Sequence, residues 1–257
     1  MFDQKNFNES SVFTPENLLR EARRQKNIPE GNIPEVCVLD PDGDIVKYLL
    51  KTNQAELDKY WACYHTNLYS FQYNEQTIGI IGNAVGASFA VLLAEQLFVS
   101  GCQLLISITS AGIINPTKNN SRFILIESAL RDEGTSYHYL PPDKAVAIHK
   151  DLYNSLSILF ADTETSLEPG TSWTTDAPYR ETIASIENAK NLGVTAVEME
   201  ASALYAFGIA RKKNIICFAH LTNSMAQNGI DFEKGIENGS IDSLNLIYRT
   251  INQLNNI

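Results

Sequence analysis

The chain has 257 residues, 44% of them hydrophobic and 19% charged, with a formal net charge of −10. That length and balance suit a globular protein with one substantial core, read as a single domain over residues 1–257. The acidic balance argues against a broad basic face for nucleic acid. No apolar run is long enough for a membrane span and the first residues carry no apolar signal core, so a cytoplasmic protein is expected.

Taken in order, Thr14-Pro15 marks a helix start, with Thr14 as N-cap and Pro15 at the first helical position. Arg20, Arg23 and Arg24 follow as a solvated face. Residues 35–40 form a short apolar strand running into the turn Pro41-Asp42-Gly43-Asp44. Residues 55–63 read as helical, and residues 76–81 as the next strand. Gly82-Asn83-Ala84-Val85-Gly86-Ala87-Ser88 then joins that strand to a helix over residues 89–99, with Ser88 as its N-cap and Gly101 past its end. Backbone N–H groups in such a turn can face an anion, which makes Gly82 and Ser88 candidate substrate contacts. The glycine spacing fits neither the dinucleotide nor the P-loop pattern, and any α/β unit needs such a turn.

Residues 103–109 are a β-rich run ending in the small-residue turn Ser110-Ala111-Gly112, where Thr109 and Ser110 offer hydroxyls to a ligand. A strand over residues 122–126 leads to a polar loop that carries Arg131 and His138. Residues 142–160 read as helical. A β-like run precedes Trp173, and Asp176 starts a helix reaching about residue 191, with Gly193 beyond it. Val197-Glu198-Met199-Glu200-Ala201 follows: two acids flank a methionine where a strand or loop meets a helix over residues 200–212. An acid there is either a solvated helix N-terminus or a site carboxylate. Residues 214–221 form a strand that ends in Thr222-Asn223, and Ser240 caps a terminal helix over residues 241–254. Cys37, Cys63, Cys102 and Cys217 are widely spaced, show no metal or redox motif, and are expected as buried thiols.

Strands alternating with helices predict a central sheet covered on both faces. The loops after Ile81, Ile108 and Leu221 each follow a strand and are expected to converge on one rim, where open α/β sheets bind ligands.

The Glu-Met-Glu segment, the turn from Gly82 to Ser88 and Thr109-Ser110-Ala111-Gly112 together resemble the nucleoside phosphorylase/uridine phosphorylase superfamily. Asp176-Ala177-Pro178-Tyr179 resembles its base-pocket segment, and the stretch from Arg131 to His138 resembles a matching one in the uridine phosphorylases. The matches keep the family's order over roughly residues 35–225. The resemblance implies an α/β three-layer α/β/α sandwich around a mixed, partly barrel-like sheet, usually a homo-oligomer. It implies a nucleoside phosphorylase that needs no cofactor and uses phosphate as co-substrate. It assigns the ribose hydroxyls to Glu200, a sugar contact to Met199 with Glu198 beside it, the base to Tyr179 with Trp173 nearby, a base carbonyl to Arg180, and the leaving base to the amide of Asn223.

The pattern departs from the family at two places. Phosphorylases there commonly hold phosphate with an arginine in a Gly-Asp-Pro-x-Arg turn and another before the Gly-Thr/Ser-x-Gly turn. Here those places read Asp40-Pro41-Asp42-Gly43-Asp44 and Ile106-Ser107-Ile108. Phosphate needs charge-assisted donors, for which Arg131, Lys47 or a neighbouring subunit remain. The alternatives are a nucleosidase, whose relatives keep a glutamate near the first strand to activate water and an Asp where Asn223 stands, and a nucleoside-binding protein without turnover.

Overall fold

The computed structural model describes residues 5–161, 166–224 and 232–255. Helix α1 (Pro15–Lys26) begins as Thr14 accepts the N–H of Asn17, and ends on Asn27 in the left-handed region. Its Leu19 and Ala22 pack on Ala62. Strand β1 (Val36–Asp40) is buried at all five positions, because it pairs in parallel on both edges and is covered on both faces. Helix α2 (Asp44–Lys51) starts where only a turn is expected: the Asp40 carboxylate accepts the N–H groups of Gly43 and Val46, satisfying donors at the start of the helix.

Residues 55–63 are not helical. They contain strand β2 (Ala55–Leu57), which pairs with β3 (Tyr69–Tyr73), and a turn in which Asp58 accepts from Tyr60 and Trp61. Strand pairing overrides a segment whose composition alone favours helix. Strand β4 (Gln76–Gly82) forms a hairpin with β3. Helix α3 (Ala87–Val99) has Gly86, not Ser88, at its N-cap. Strand β5 (Leu104–Ile113) runs straight through the expected turn at residues 110–112. Strand β6 (Phe123–Asp132) is followed by β7 (Ala145–Ala147) and α4 (Lys150–Leu156). A continuous helix over residues 142–160 is precluded because Ala145–Ala147 pairs antiparallel with β6.

Strand β8 (Leu167–Thr175) precedes a single 3-10 turn, Pro178–Arg180, and α5 (Ile183–Asn191). Thr182 caps α5, while Asp176 instead accepts the N–H of Gly134. Then come β9 (Ala196–Glu198), α6 (Ala201–Arg211), β10 (Asn214–Asn223) and α7 (Ser240–Asn255).

The sheet is mixed, with strand order β10-β6-β8-β9-β5-β1-β4-β3-β2. Strand β10 also pairs with β5, so β5, β9, β8, β6 and β10 close into a ring while β1 to β4 extend from it. Helices α1, α3 and α6 pack together, as do α2, α4 and α7. The three layers bury one main core that includes Leu39, Ile80, Leu97, Ile106, Phe207 and Phe218. Each such side chain contributes about 1.5–3 kcal/mol by leaving water. The four cysteines are buried free thiols. No helix among the described residues is long and apolar enough to cross a membrane.

Candidate active site

The ring and its extension meet where β1, β4, β5, β9 and β10 end, and a cleft of about 500 Å³ opens there. The expected convergence of three strand-end loops is visible in its lining, which includes Val85 after β4, Thr109 to Gly112 on β5 and Asn223 at the end of β10. Pro178, Tyr179, Glu181 and Phe232 form the remaining wall, with Asp42 on the floor.

The two glutamates of the Glu-Met-Glu segment are both buried, but their surroundings differ. The Glu198 carboxylate accepts from Ser172 Oγ (3.0 Å), Thr174 Oγ1 (2.5 Å) and the backbone N–H groups of Glu200 and Ala201 (both 2.7 Å). Four donors saturate it, and it ties β8 to the start of α6. Glu200 is 1% exposed. One of its oxygens accepts the N–H of Gly86 at 2.6 Å, and Oε2 has no partner among the described residues. Burial, then the charge of Glu198, pushes the Glu200 carboxyl up to about 8, against the pull of the Gly86 N–H. Gly86 can turn its N–H to the glutamate because its backbone lies at φ 92, ψ 145, a region essentially reserved for glycine.

On the floor, both oxygens of Asp42 are engaged. Ser110 donates its backbone N–H and its hydroxyl to them, each at 3.0 Å, and the Lys234 ammonium lies 3.2 Å from Oδ2. Lys234 also reaches Asp44 at 2.8 Å. Burial works to lower the Lys234 ammonium, and the bond to Asp44 with the charges of both aspartates overcomes it. Beneath them, burial raises the Asp40 carboxyl to about 7. Glu181 is likewise raised to about 7, by burial alone.

The cleft therefore gathers Glu198, Met199, Glu200, Thr109, Ser110, Tyr179 and Asn223 from the residues that sequence singles out. Tyr179 is 99% exposed, its ring standing at the mouth. The amide of Asn223 donates to Thr222 Oγ1 at 3.1 Å. Other expected contacts lie elsewhere. Trp173 donates to Asp132 at 2.9 Å and packs with Ile114 and Ile186 behind the sheet. Arg131 is buried, stacked on Tyr137, with its guanidinium donating to Ser136 Oγ and to the carbonyls of Leu140 and Pro141. Both line a second groove along α5. Arg131 is thus committed to holding its own loop and does not replace a phosphate-binding arginine in the cleft. Lys47 is exposed and pairs with Asp44. Arg180, His138 and Ser88 are exposed and do not line the cleft, and Gly82 faces Val46 of α2.

Sequence reasoning does not select Val85, Glu181, Phe232 or Lys234. It meets Asp42 only in the turn where the family's arginine is missing, although its place directly after β1 is the available signal. No Lys, Arg or His lines the cleft among the described residues, whereas Asp42, Glu181, Glu198 and Glu200 do. No cluster of three or more His, Cys, Asp or Glu able to hold a metal occurs among those residues.

Comparison with known proteins gives a consistent picture. The model of the phosphorylase superfamily matches residues 35–252. An uncharacterised protein of Acanthamoeba polyphaga mimivirus is 30% identical over 135 residues, which is 52% of this chain and 52% of that protein, so the match spans about half of that relative. A DeoD-type purine nucleoside phosphorylase of Exiguobacterium sibiricum is 23% identical over 201 residues, covering 77% of this chain and 86% of its own. Among solved structures, the purine nucleoside phosphorylase of Toxoplasma gondii in complex with immucillin-H superposes with a TM-score of 0.72 at 15% identity, covering 85% of this chain and 90% of that one.

Proposed function

The chain belongs to the phosphorylase superfamily, and from that premise we propose that it binds a nucleoside in the cleft and breaks its N-glycosidic bond. The acceptor suggested by its named relatives is phosphate, which makes the reaction a pentosyl transfer yielding free base and ribose 1-phosphate.

The observation that carries this reading is Glu200. A buried carboxyl oxygen without a partner is costly, and this one sits on the wall of a ligand-sized cleft. The vicinal hydroxyls of a ribose supply the donors it lacks. Positive charge grows on the sugar ring as the bond to the base stretches; hydrogen bonds from the 2′- and 3′-hydroxyls draw the Glu200 carboxyl down from about 8, and the carboxylate they favour stabilises that charge where it develops. Met199 supplies a soft apolar contact for the sugar, and the Tyr179 ring stacks on the base. Asn223, at the end of β10, offers its amide to the departing base as a hydrogen-bond donor. An amide has no proton to give up, so the base leaves stabilised rather than protonated by this residue.

A second reading, transfer to water, is favoured by Asp42. Both donors of Ser110 are already spent on an internal carboxylate, and the cleft lining is acidic. A phosphate dianion would meet that carboxylate where it needs donors. Asp42 is within reach of the cleft and can orient and deprotonate a water.

The test is base release from a panel of adenosine, inosine, guanosine, uridine and cytidine, with and without phosphate. Release that requires phosphate and yields ribose 1-phosphate supports the first reading. Equal release without phosphate supports hydrolysis. Binding of a nucleoside without release of base, under either condition, overturns the enzymatic reading. Glu200→Ala is expected to lower kcat/KM at least about a thousandfold with the far-ultraviolet circular dichroism unchanged, comparable to losing a main electrostatic contact.

A further inference from the structure

Lys234 belongs to no motif, yet it joins three separate parts of the molecule. Its ammonium sits between Asp42 on the cleft floor and Asp44 at the start of α2, and its side chain is only 15% exposed. Two residues earlier, Phe232 forms part of the cleft wall, with the Lys234 ammonium 5.6 Å from its ring centroid. Between them the backbone N–H of Glu233 donates to the carbonyl of Thr222 at 2.9 Å, beside Asn223. Farther along, Asn238 donates to Asp44 and Glu237 pairs with Lys51 of α2. Residues 232–239 thus run from the end of β10 to the start of α2, and most of their side-chain ties converge on one pair of aspartates.

Asp42 and Asp44, two residues apart, carry the charge here, since burial raises the Asp40 carboxyl to about 7 and the Glu200 carboxyl to about 8. Like charges in a partly buried cluster repel strongly. The exposed Lys47 pairs with Asp44 alone, whereas the Lys234 ammonium is held between Asp42 and Asp44, and a charge-assisted bond of that kind carries more than a neutral one. Exposed pairs such as Lys51–Glu237 are worth little by comparison.

We propose that residues 232–239 form a strap clasped across the cleft by Lys234, and that Lys234 is a positioning residue that sets Asp42 against Ser110 and holds Phe232 as a wall for the ligand. The wall role rests on the reading of this cleft as the nucleoside site; the strap itself does not. Lys234→Met removes the ammonium and keeps much of the apolar stem, whereas Lys234→Arg retains a cation.

Hydrogen exchange on the full chain tests the strap without any ligand. Backbone amides of residues 233–239 are expected to exchange about tenfold faster in Lys234→Met, the loss of one charge-assisted clasp, and at near wild-type rates in Lys234→Arg. Asp44→Asn, which loosens the clasp from its other side outside the cleft, is expected to act like Lys234→Met. Unchanged exchange in both loosened variants overturns the strap. Calorimetric titration with adenosine and with uridine tests the wall: whichever of them wild type binds is expected to bind about tenfold more weakly to Lys234→Met and within threefold of wild type to Lys234→Arg. A fraction of irreversibly misfolded protein would lower the fitted stoichiometry and leave Kd unchanged, whereas a displaced wall raises Kd at full stoichiometry, so equal Kd values overturn the positioning role. If wild type binds neither nucleoside, the wall role falls with the nucleoside reading, while the exchange result still decides the strap.

Discussion

Glu198 and Glu200 are separated by one residue and differ in how many donors they have. Four donors surround Glu198, and one reaches Glu200. The single donor leaves Glu200 dependent on whatever enters the cleft, and that dependence has a measurable signature in the empty protein. The Glu200 carboxyl titrates at about 8 when folded, against an ordinary value of 4.5. Between those values the folded chain keeps a proton that the unfolded chain releases. Stability attached to this group is therefore fully present below pH 4.5 and is lost as pH rises through about 8. Asp40 and Glu181, both raised to about 7, act in the same direction, so the wild-type trend alone does not isolate Glu200. Comparison with Glu200→Gln does: the amide has no charge to bury. The variant is expected to gain about 1–3 kcal/mol over wild type at pH 8.5 and close to nothing at pH 4.5. Thermal unfolding at the two pH values checks this, and a gain independent of pH would show that Glu200 is not ionising in a buried place.

At the scale of elements, the turn from β4 into α3 decides where the Glu200 carboxylate rests. The start of α3 presents backbone donors and the positive end of its dipole, and Gly86 aims the donor. An added Cβ at Gly86 meets no heavy atom within 4 Å, so space does not forbid it. The backbone conformation does, since φ 92 with ψ 145 is strained for any residue bearing a Cβ. Gly86→Ala is expected to cost about 1–3 kcal/mol of stability and to lower kcat/KM by at least about tenfold, because relief of that strain rotates the N–H off Glu200. Full activity with unaltered stability would show that the turn tolerates another geometry.

The same scale shows what was legible in the residues. Strands β1, β5 and β10 announce themselves as continuous apolar runs, the signature of strands buried on both faces, and the polar residues that break those runs, Thr109, Ser110 and Asn223, line the cleft. Residues 55–63 and 142–160 are not legible, because pairing of Ala55–Leu57 with β3 and of Ala145–Ala147 with β6 is settled by partners outside the segment rather than by its own composition. Trp173 fails as a base contact for a reason of period: Ser172 and Thr174 face Glu198, so the residue between them faces the other side of β8, toward α5. Asp42 and Lys234 meet across 192 positions of sequence, and nothing local in either segment announces that contact.

For the molecule as a whole, the site depends on closure of the ring, because β10 brings Asn223 to the cleft only while it pairs with β5 on one edge and β6 on the other. Helix α6, which carries Glu200 at its leading end, also reinforces that closure. The fully buried hydroxyl of Tyr205 donates to the carbonyl of Ile126 on β6 at 2.6 Å and accepts the N–H of Cys217 on β10 at 3.1 Å. One side chain thus satisfies two backbone groups where the antiparallel β6–β10 pairing stops short of Cys217 and the β6–β8 register shifts after Ile126. Tyr205→Phe keeps the ring and its packing but leaves both groups unsatisfied, which is expected to cost about 1–3 kcal/mol in urea unfolding. Tyr205 lies five residues beyond Glu200, about 7 Å along the helix, and it does not line the cleft. Its kcat/KM at 25 °C is therefore expected to stay within about threefold of wild type. Stability and activity falling together under conditions where the variant remains folded would show instead that ring closure positions Glu200 directly, and that the cleft is less rigid than its buried walls imply.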